Sequence, residues 1–246
     1  MIAVRFGALF IAVVFLLPAL ATMGWWSVKE RPVSWSRADW SSSGLLPAPS
    51  TDAPAAVYVL AARTGGLKGA FSVHSWVVLK DEGAADYERY DKVGWGEPVR
   101  RNHRPADGRW YSNEPRIVCE AHGAEAAAML PAMRAAIASY PWSRAGDYHI
   151  WPGPNSNSFV AHVTRSVPQL GACLPPNAAG RDFAPGLFAA GLSADGMNLH
   201  VTFGGLAGFA IGKAVGLELH FLGLVAGVDI LHPALKIPAF GRVALY

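Results

Sequence analysis

Residues 148–165, YHIWPGPNSNSFVAHVTR, contain the sharpest structural boundary in the chain. The Gly-Pro pair at 153–154 interrupts a strand-like segment, Asn155 is a good helix-capping residue, and apolar side chains from Phe159 onward recur at helical spacing. Ser156 therefore falls in the first turn of a helix. Unpaired backbone N–H groups and the helix dipole stabilise an alkoxide or oxyanion there, which predicts a nucleophile; an ordinary capping role is the alternative.

A second polar residue lies inside an apolar run further upstream. Residues 73–80, VHSWVVLK, predict a strand, and alternation places Trp76 and Val78 on the same face as His74. A lone strand histidine is usually a hydrogen-bonded core residue. Together with Ser156, however, His74 forms the second half of a nucleophile and base arrangement, which requires proximity in space only.

The pattern around these two residues predicts an α+β domain. An Ala-rich stretch at 124–140 predicts a helix that is kinked or restarted at Pro131. β-Branched and aromatic runs predict strands, with a hairpin between the second and the third, at 57–63, 73–80, 87–93 and 116–121.

Other polar residues complete the candidate site. Asp91 is our choice for a third catalytic residue that orients His74 across the hairpin, with a solvated charge or a turn-side cap as the alternatives. Arg181 could hold an anionic headgroup or pair with its neighbour Asp182. The candidate substrate-binding residues are Asn155, Asn157, Tyr90 and Arg181. The histidines form no HxxxH or HExxH pair, so we expect neither a metal nor another cofactor.

The N-terminus carries the longest apolar segment. Residues 6–26 contain no charge, and 21 residues suffice to cross a bilayer as a helix. We therefore expect a transmembrane anchor at 1–26, with Arg5 favouring a cytoplasmic N-terminus. The alternatives are a signal peptide cleaved after the Ala-Leu-Ala at 19–21 and a buried helix. A linker at 27–55 and one domain at 56–246 follow.

Composition limits the function classes. The 246 residues are 52% hydrophobic and rich in aromatic side chains, which excludes disorder for most of the chain. The net charge of +3 has no Lys/Arg stripe, so we expect no nucleic-acid partner. The densest basic patch, at 100–104, could contact anionic lipids or lie in a solvated loop.

The C-terminal third is Gly-rich and almost uncharged. Its alternating residues at 217–221 predict strands, which we expect to complete the sheet and to present an apolar surface near the bilayer. A buried β core is the alternative.

Two cysteines, Cys119 and Cys173, have no metal-like spacing. They could form one disulfide if the domain lies outside the cytoplasm, or remain two buried thiols, which the sequence slightly favours.

Several motifs resemble known families. A strand histidine followed by a distant Asn-Cys-x-x-Phe helix start is the pattern of the circularly permuted papain-like superfamily, which includes the lecithin retinol acyltransferase and NlpC-like groups, and NSNSF at 155–159 resembles that helix start. Ser156 matches the position of its catalytic cysteine, and His74 matches its base. A closer resemblance, from about residue 35 to the C-terminus, is to a family of bacterial membrane proteins of unknown function. It is carried by HSW at 74–76, RYDKVGWG at 89–96, WPGPNSNSF at 151–159, LPPNAAGRDF at 174–183 and PALKIP at 233–238.

The resemblance implies a permuted papain-like fold behind a single membrane anchor. We expect a hydrolase or acyltransferase of the bacterial inner membrane, with its domain on the periplasmic side and a lipid or cell-envelope ester or amide as substrate. Because serine is a weaker nucleophile than the family's cysteine, a catalytically inactive, membrane-tethered binding or scaffold protein is the alternative.

Overall fold

The computed structural model describes residues 2–171 and 173–245. The expected domain limits at Met1 and Tyr246 lie outside the described residues. The helical segments are α1 (Ile2–Ile11), a π-helical segment (Ala12–Leu16), α2 (Leu17–Val28), α3 (Gly123–Ala138) and α4 (Ser156–Arg165). The strands are β1 (Ala56–Arg63), β2 (Val73–Lys80), β3 (Glu88–Lys92), β4 (Val99–Arg101), β5 (Arg116–His122), β6 (Ala189–Leu192), β7 (Asn198–Phe203), β8 (Ala207–Gly212), β9 (Gly216–Phe221), β10 (Leu224–Asp229), β11 (Ala234–Ile237) and β12 (Gly241–Ala244).

The first sheet contains the strands predicted from the sequence. Its order is β4-β3-β2-β1-β5, and every neighbouring pair is antiparallel. The predicted hairpin is present, with Val77 opposite Tyr90. The α+β class is therefore confirmed. Helix α3 runs through Pro131 without a break, so the predicted restart is absent.

The two faces of this sheet bury different cores. Helices α3 and α4 cover one face, where Val77 packs among side chains such as Met133 and Phe159. On the opposite face, Trp76 packs in a second cluster that includes Trp110. Because side chains alternate along β2, His74 belongs to the Trp76 side and Ser75 to the helix side.

The C-terminal strands do not complete the first sheet, contrary to our expectation. They form a separate seven-stranded antiparallel meander in the order β12-β11-β10-β9-β8-β7-β6. Each strand pairs with its neighbour in sequence through a short turn, so the C-terminal strands bond to one another and not to the first sheet.

The N-terminal helix is long and apolar enough to span a membrane over Val4–Val28, with a mean hydropathy of 2.4. It also contacts the domain at two positions along its length. The buried Trp26 indole donates a 2.9 Å hydrogen bond to the Gly66 carbonyl, and the Phe15 ring packs edge-on against Phe221 at 5.6 Å. The helix therefore lies along the domain for about half its length.

The segment 27–55 was expected to space the domain from the membrane. In the structure part of it packs on the domain, because Trp40 lies edge-on to Trp110 at 5.1 Å and Leu46 is buried beside the Asp107 carboxylate. The cysteines form a disulfide, Cys119–Cys173, with their Cα atoms 5.4 Å apart, against the slight preference for free thiols.

Candidate functional site

Helix α4 begins at Ser156, as the sequence predicts, and is capped by its neighbours. The Asn155 Oδ1 atom accepts hydrogen bonds from the backbone N–H groups of Asn157 at 2.9 Å and Ser158 at 3.2 Å. The Ser158 hydroxyl accepts a 2.6 Å bond from the Asn155 N–H, which completes a capping box. Two of the first-turn N–H groups are thus occupied, which leaves the Ser156 N–H for another partner.

Asn157 fastens this helix start to strand β2. Its Oδ1 atom accepts a 2.8 Å hydrogen bond from the Ser75 hydroxyl, and its Nδ2 donates to the carbonyls of Val73 at 2.9 Å and Ala179 at 2.8 Å. Val73 and Ser75 flank His74 in the strand. The bonds therefore hold the peptide that carries Ser156 beside the strand segment that carries His74.

His74 and Ser156 line the same cavity, which has a volume of about 710 Å³. Its size falls in the range of small-molecule sites, and apolar and aromatic side chains form most of its wall. Asn155 and Asn157 also reach this wall, although their amides are bonded within the protein. The other lining residues are Thr64, Lys68, Phe71, Ser72, Val73, Gly94, Trp95, Trp110, Tyr111, Tyr148, Ile150, Trp151, Ala179, Leu222, Gly223 and Leu224.

The His74 ring is held between an aromatic ring and a carboxylate. It stacks on Trp110 with ring centres 3.5 Å apart and planes within 2°, and its Nε2 lies 3.7 Å from Asp91 Oδ2. At this distance the Nε2 and the carboxylate attract each other without a hydrogen bond. Burial lowers the pKa of His74, and Asp91 opposes this only in part, so the imidazole is neutral at pH 7. Since Nε2 is turned toward Asp91, Nδ1 is the ring nitrogen available to the cavity.

Asp91 has a second partner, Arg89, which the sequence did not single out. The Arg89 guanidinium donates to Asp91 Oδ2 from Nη2 at 2.9 Å and from Nε at 3.2 Å, and lies 4.1 Å above the Trp76 ring. Burial alone would raise the pKa of Asp91, but His74 and Arg89 outweigh it and lower that pKa to about 2. The Asp91 carboxylate is therefore ionised, and it interacts with both His74 and Arg89.

Tyr148 is a further residue that sequence reasoning missed. Its phenol faces both the hydroxyl and the backbone N–H of Ser156, and its ring packs on Gly94. Burial raises the pKa of Tyr148, so the phenol keeps its proton at pH 7 and can donate a hydrogen bond. The only signal in the sequence was its place within the 148–165 stretch.

The structure does not bring Tyr90 to the cavity. Its side chain packs on the helix-covered core, and its hydroxyl donates a 2.6 Å hydrogen bond to Glu88. Alternation along β3 accounts for this: Arg89 and Asp91 share one face, and Tyr90 faces the other way.

Arg181 also lies away from this cavity. It is buried against the second sheet, where it forms ion pairs with Asp182, at 3.3 Å, and with Glu218, and donates a 2.8 Å bond to the Leu174 carbonyl. The pairing of Arg181 with Asp182, the alternative to headgroup binding, is thus present. Within the described residues, no group of three or more His, Cys, Asp or Glu is arranged to hold a metal ion.

Comparisons with known proteins identify a family. No curated protein and no solved structure matches the chain. One family model, described as "Protein of unknown function (DUF3750)", matches residues 54–183. This range is more than half of the chain and contains His74, Asp91, Tyr148 and Ser156, whereas the second sheet follows it. The chain therefore belongs to the DUF3750 family.

Proposed function

We propose that this protein is a membrane-anchored hydrolase or acyltransferase in which Ser156 is the nucleophile and His74 the base. The observation that carries the proposal is the presence of both residues on the wall of one cavity of about 710 Å³. The Asp91 carboxylate, 3.7 Å behind the imidazole, stabilises the charge that His74 acquires when it accepts a proton. The permuted papain-like relationship belongs to the same proposal.

The reaction uses groups that the site already contains. His74 removes the Ser156 proton as Oγ attacks the carbonyl carbon of an ester or amide, and the carbonyl oxygen becomes an oxyanion. We assign the Ser156 N–H and the Tyr148 hydroxyl as its donors, because Asn155 occupies the next two N–H groups. The imidazolium then protonates the leaving group. Water or an acceptor alcohol then attacks the acyl group as His74 takes its proton, and the imidazolium returns a proton to Ser156 Oγ when the acyl–Oγ bond breaks.

The cavity favours a lipid acyl ester or another apolar envelope substrate over a polar peptide. Most of its wall is apolar or aromatic. Among the described residues that line it, Lys68 is the one lysine or arginine. Its rim also adjoins the N-terminal helix. Lys68 lies in the turn Gly66–Ala70, which accepts the hydrogen bond from Trp26. Leu222 follows Phe221, against which Phe15 packs.

The disulfide supports a location outside the cytoplasm. Cytoplasmic thiols are kept reduced, whereas the bacterial periplasm is oxidising. Together with the apolar helix and Arg5 ahead of it, the Cys119–Cys173 pair favours a single-pass protein of the bacterial inner membrane with a periplasmic domain.

One observation favours the second candidate function, an inactive membrane-tethered binding or scaffold protein. Among the described residues, no hydrogen bond joins the Ser156 hydroxyl to the His74 ring, and the buried His74 Nε2 has no hydrogen-bond partner. A binding protein would use the same cavity without covalent chemistry.

Labelling by a fluorophosphonate with an alkyl chain distinguishes the two functions. The full-length protein in detergent should be labelled on Ser156, as located by peptide mass analysis. Ser156→Ala and His74→Gln should abolish labelling and leave the thermal midpoint nearly unchanged. Ser72→Ala is the matched control, because Ser72 lines the same cavity and should be dispensable. An unlabelled parent protein would refute the enzyme proposal and support the binding function, whereas labelling that survives Ser156→Ala would refute Ser156 as the nucleophile.

A further inference from the structure

The outer face of the second sheet is apolar on every strand. The register aligns Val201 with Phe209, Phe209 with Leu219, and Val228 with Leu217 and Leu235, so these side chains point to one side. Several of the largest are exposed, from 36% for Phe209 to 52% for Phe203. The main members of this outer face are Phe203, Phe209, Ile211, Leu217, Leu219 and Leu235.

The inner face of the same strands carries a cluster of buried polar side chains. Glu218 lies there among Arg181, Lys236 and His220, with 1% of its surface exposed. This is the reverse of a sheet in water, whose apolar side chains face the core and whose polar side chains face solvent. An exposed apolar surface of this extent marks a contact with a membrane or another protein.

The position of the N-terminal helix indicates that the outer face contacts a membrane rather than another protein. Phe15 packs on Phe221, an outer-face residue at the end of β9, and Phe15 precedes Val28 by about 20 Å of helix. The hydrocarbon core of a bilayer is about 30 Å thick. If the helix spans the bilayer, Phe221 therefore lies at the depth of the acyl chains, and the apolar outer face next to it lies there as well.

We propose that the outer face of the second sheet is a membrane-contacting surface that inserts into one leaflet beside the N-terminal helix. The central strands β8–β10 make this contact, because each of them lies between two hydrogen-bonded neighbours in the sheet. The edge strands β6 and β12 remain near the headgroups, where water can bond their free backbone groups. The contact places the cavity rim at Leu222–Leu224 beside the acyl chains. The proposal rests on the membrane anchor of the proposed function but not on its Ser156 chemistry.

Spin labels on the full-length protein test this contact. Single cysteines replace Phe209 or Leu219 on the outer face, Val13 on the helix and Glu82 in the exposed turn after β2. The protein is reconstituted into vesicles of phosphatidylcholine and phosphatidylglycerol, and mass analysis verifies that Cys119–Cys173 remains bonded. Collision rates with dissolved oxygen, which enters lipid, and with a water-soluble nickel chelate are then measured.

The Phe209→Cys and Leu219→Cys labels should resemble Val13→Cys, with nickel collision rates several-fold below that of Glu82→Cys and high oxygen collision rates. Nickel access equal to that at Glu82→Cys would overturn the proposal. So would protection from both reagents with spin–spin broadening that disappears on dilution with unlabelled protein, because a second copy would then cover the face. If the Val13→Cys label is exposed to lipid but the outer-face labels are exposed to water, only this inference is refuted and the membrane anchor stands. Loss of fluorophosphonate labelling, by contrast, bears only on the enzyme proposal. Ile211→Cys replaces either outer-face variant that fails to fold.

Discussion

The Ser75 hydroxyl donates a 2.8 Å hydrogen bond to the Asn157 side chain, although 82 positions separate the two residues. Ser75 follows His74 on β2, and Asn157 follows Ser156 on α4. This contact and the bond from the Asn157 amide nitrogen to the Val73 carbonyl join the strand and the helix that carry the proposed base and nucleophile.

Loss of this junction should reduce reactivity more than a surface change does. Asn157→Ala removes three buried or partly buried hydrogen bonds and leaves the Ser75 hydroxyl without this acceptor, so we expect the free energy of unfolding to fall by about 3 kcal/mol and fluorophosphonate labelling to be lost. Ser75→Ala should cost about 1 kcal/mol. Urea unfolding in detergent measures both, with the exposed Gln169→Ala as the control. Normal labelling in Asn157→Ala would show that the junction does not position Ser156.

We expect the Asp91 carboxylate to stabilise the folded protein in addition to interacting with His74. Asp91→Asn leaves the buried Arg89 without its charge partner, which should cost about 3–5 kcal/mol. Asp81→Asn is the matched control, because its pair with Arg134 is half exposed and should be worth less than about 1 kcal/mol. Equal losses in the two variants, measured by urea unfolding, would contradict a structural role for the Arg89–Asp91 pair.

The same residues predict how stability depends on pH. His74 has a pKa below its ordinary 6.5, so the unfolded chain binds a proton more readily, and stability should decline as the pH falls below 6.5. Asp91 has a pKa of about 2 against an ordinary 3.8, so its contribution should be lost as the pH falls from 3.8 to about 2. Unfolding at pH 7, 5 and 3 checks this. Relative to the parent, His74→Gln should reduce the decline above pH 5, and Asp91→Asn the decline below it; unchanged slopes would contradict the assignment.

A thiol at the helix start should report the electrostatics of the site. In Ser156→Cys, the helix N-terminus and the His74–Asp91 pair should lower the pKa of the introduced thiol below the usual value of about 8.5. Ser72→Cys places a thiol in the same cavity but away from a helix start, and it should titrate near that value. The pH dependence of iodoacetamide alkylation measures both. Identical profiles for the two thiols would show that the position of Ser156 confers no activation.

The helix start and the strand that carries His74 were predictable because short stretches encode them. Asn155 caps α4 through bonds to Asn157 and Ser158, and β2 shows the apolar run of a buried strand over Val73–Lys80. The apolar N-terminal helix follows in the same way from uninterrupted composition. Each of these features depends on residues that are adjacent in sequence.

Tertiary structure decided which side chains meet. Arg89 competes with His74 for Asp91, Tyr148 approaches Ser156 from a loop, and Arg181 is drawn to Glu218 in the second sheet. The register of distant strands fixes these contacts, and no local pattern encodes it. The separate meander has the same origin: local alternation predicts its strands, but only the packing of the whole chain determines which sheet they join and which face is left apolar. The disulfide likewise required two cysteines from distant segments to meet.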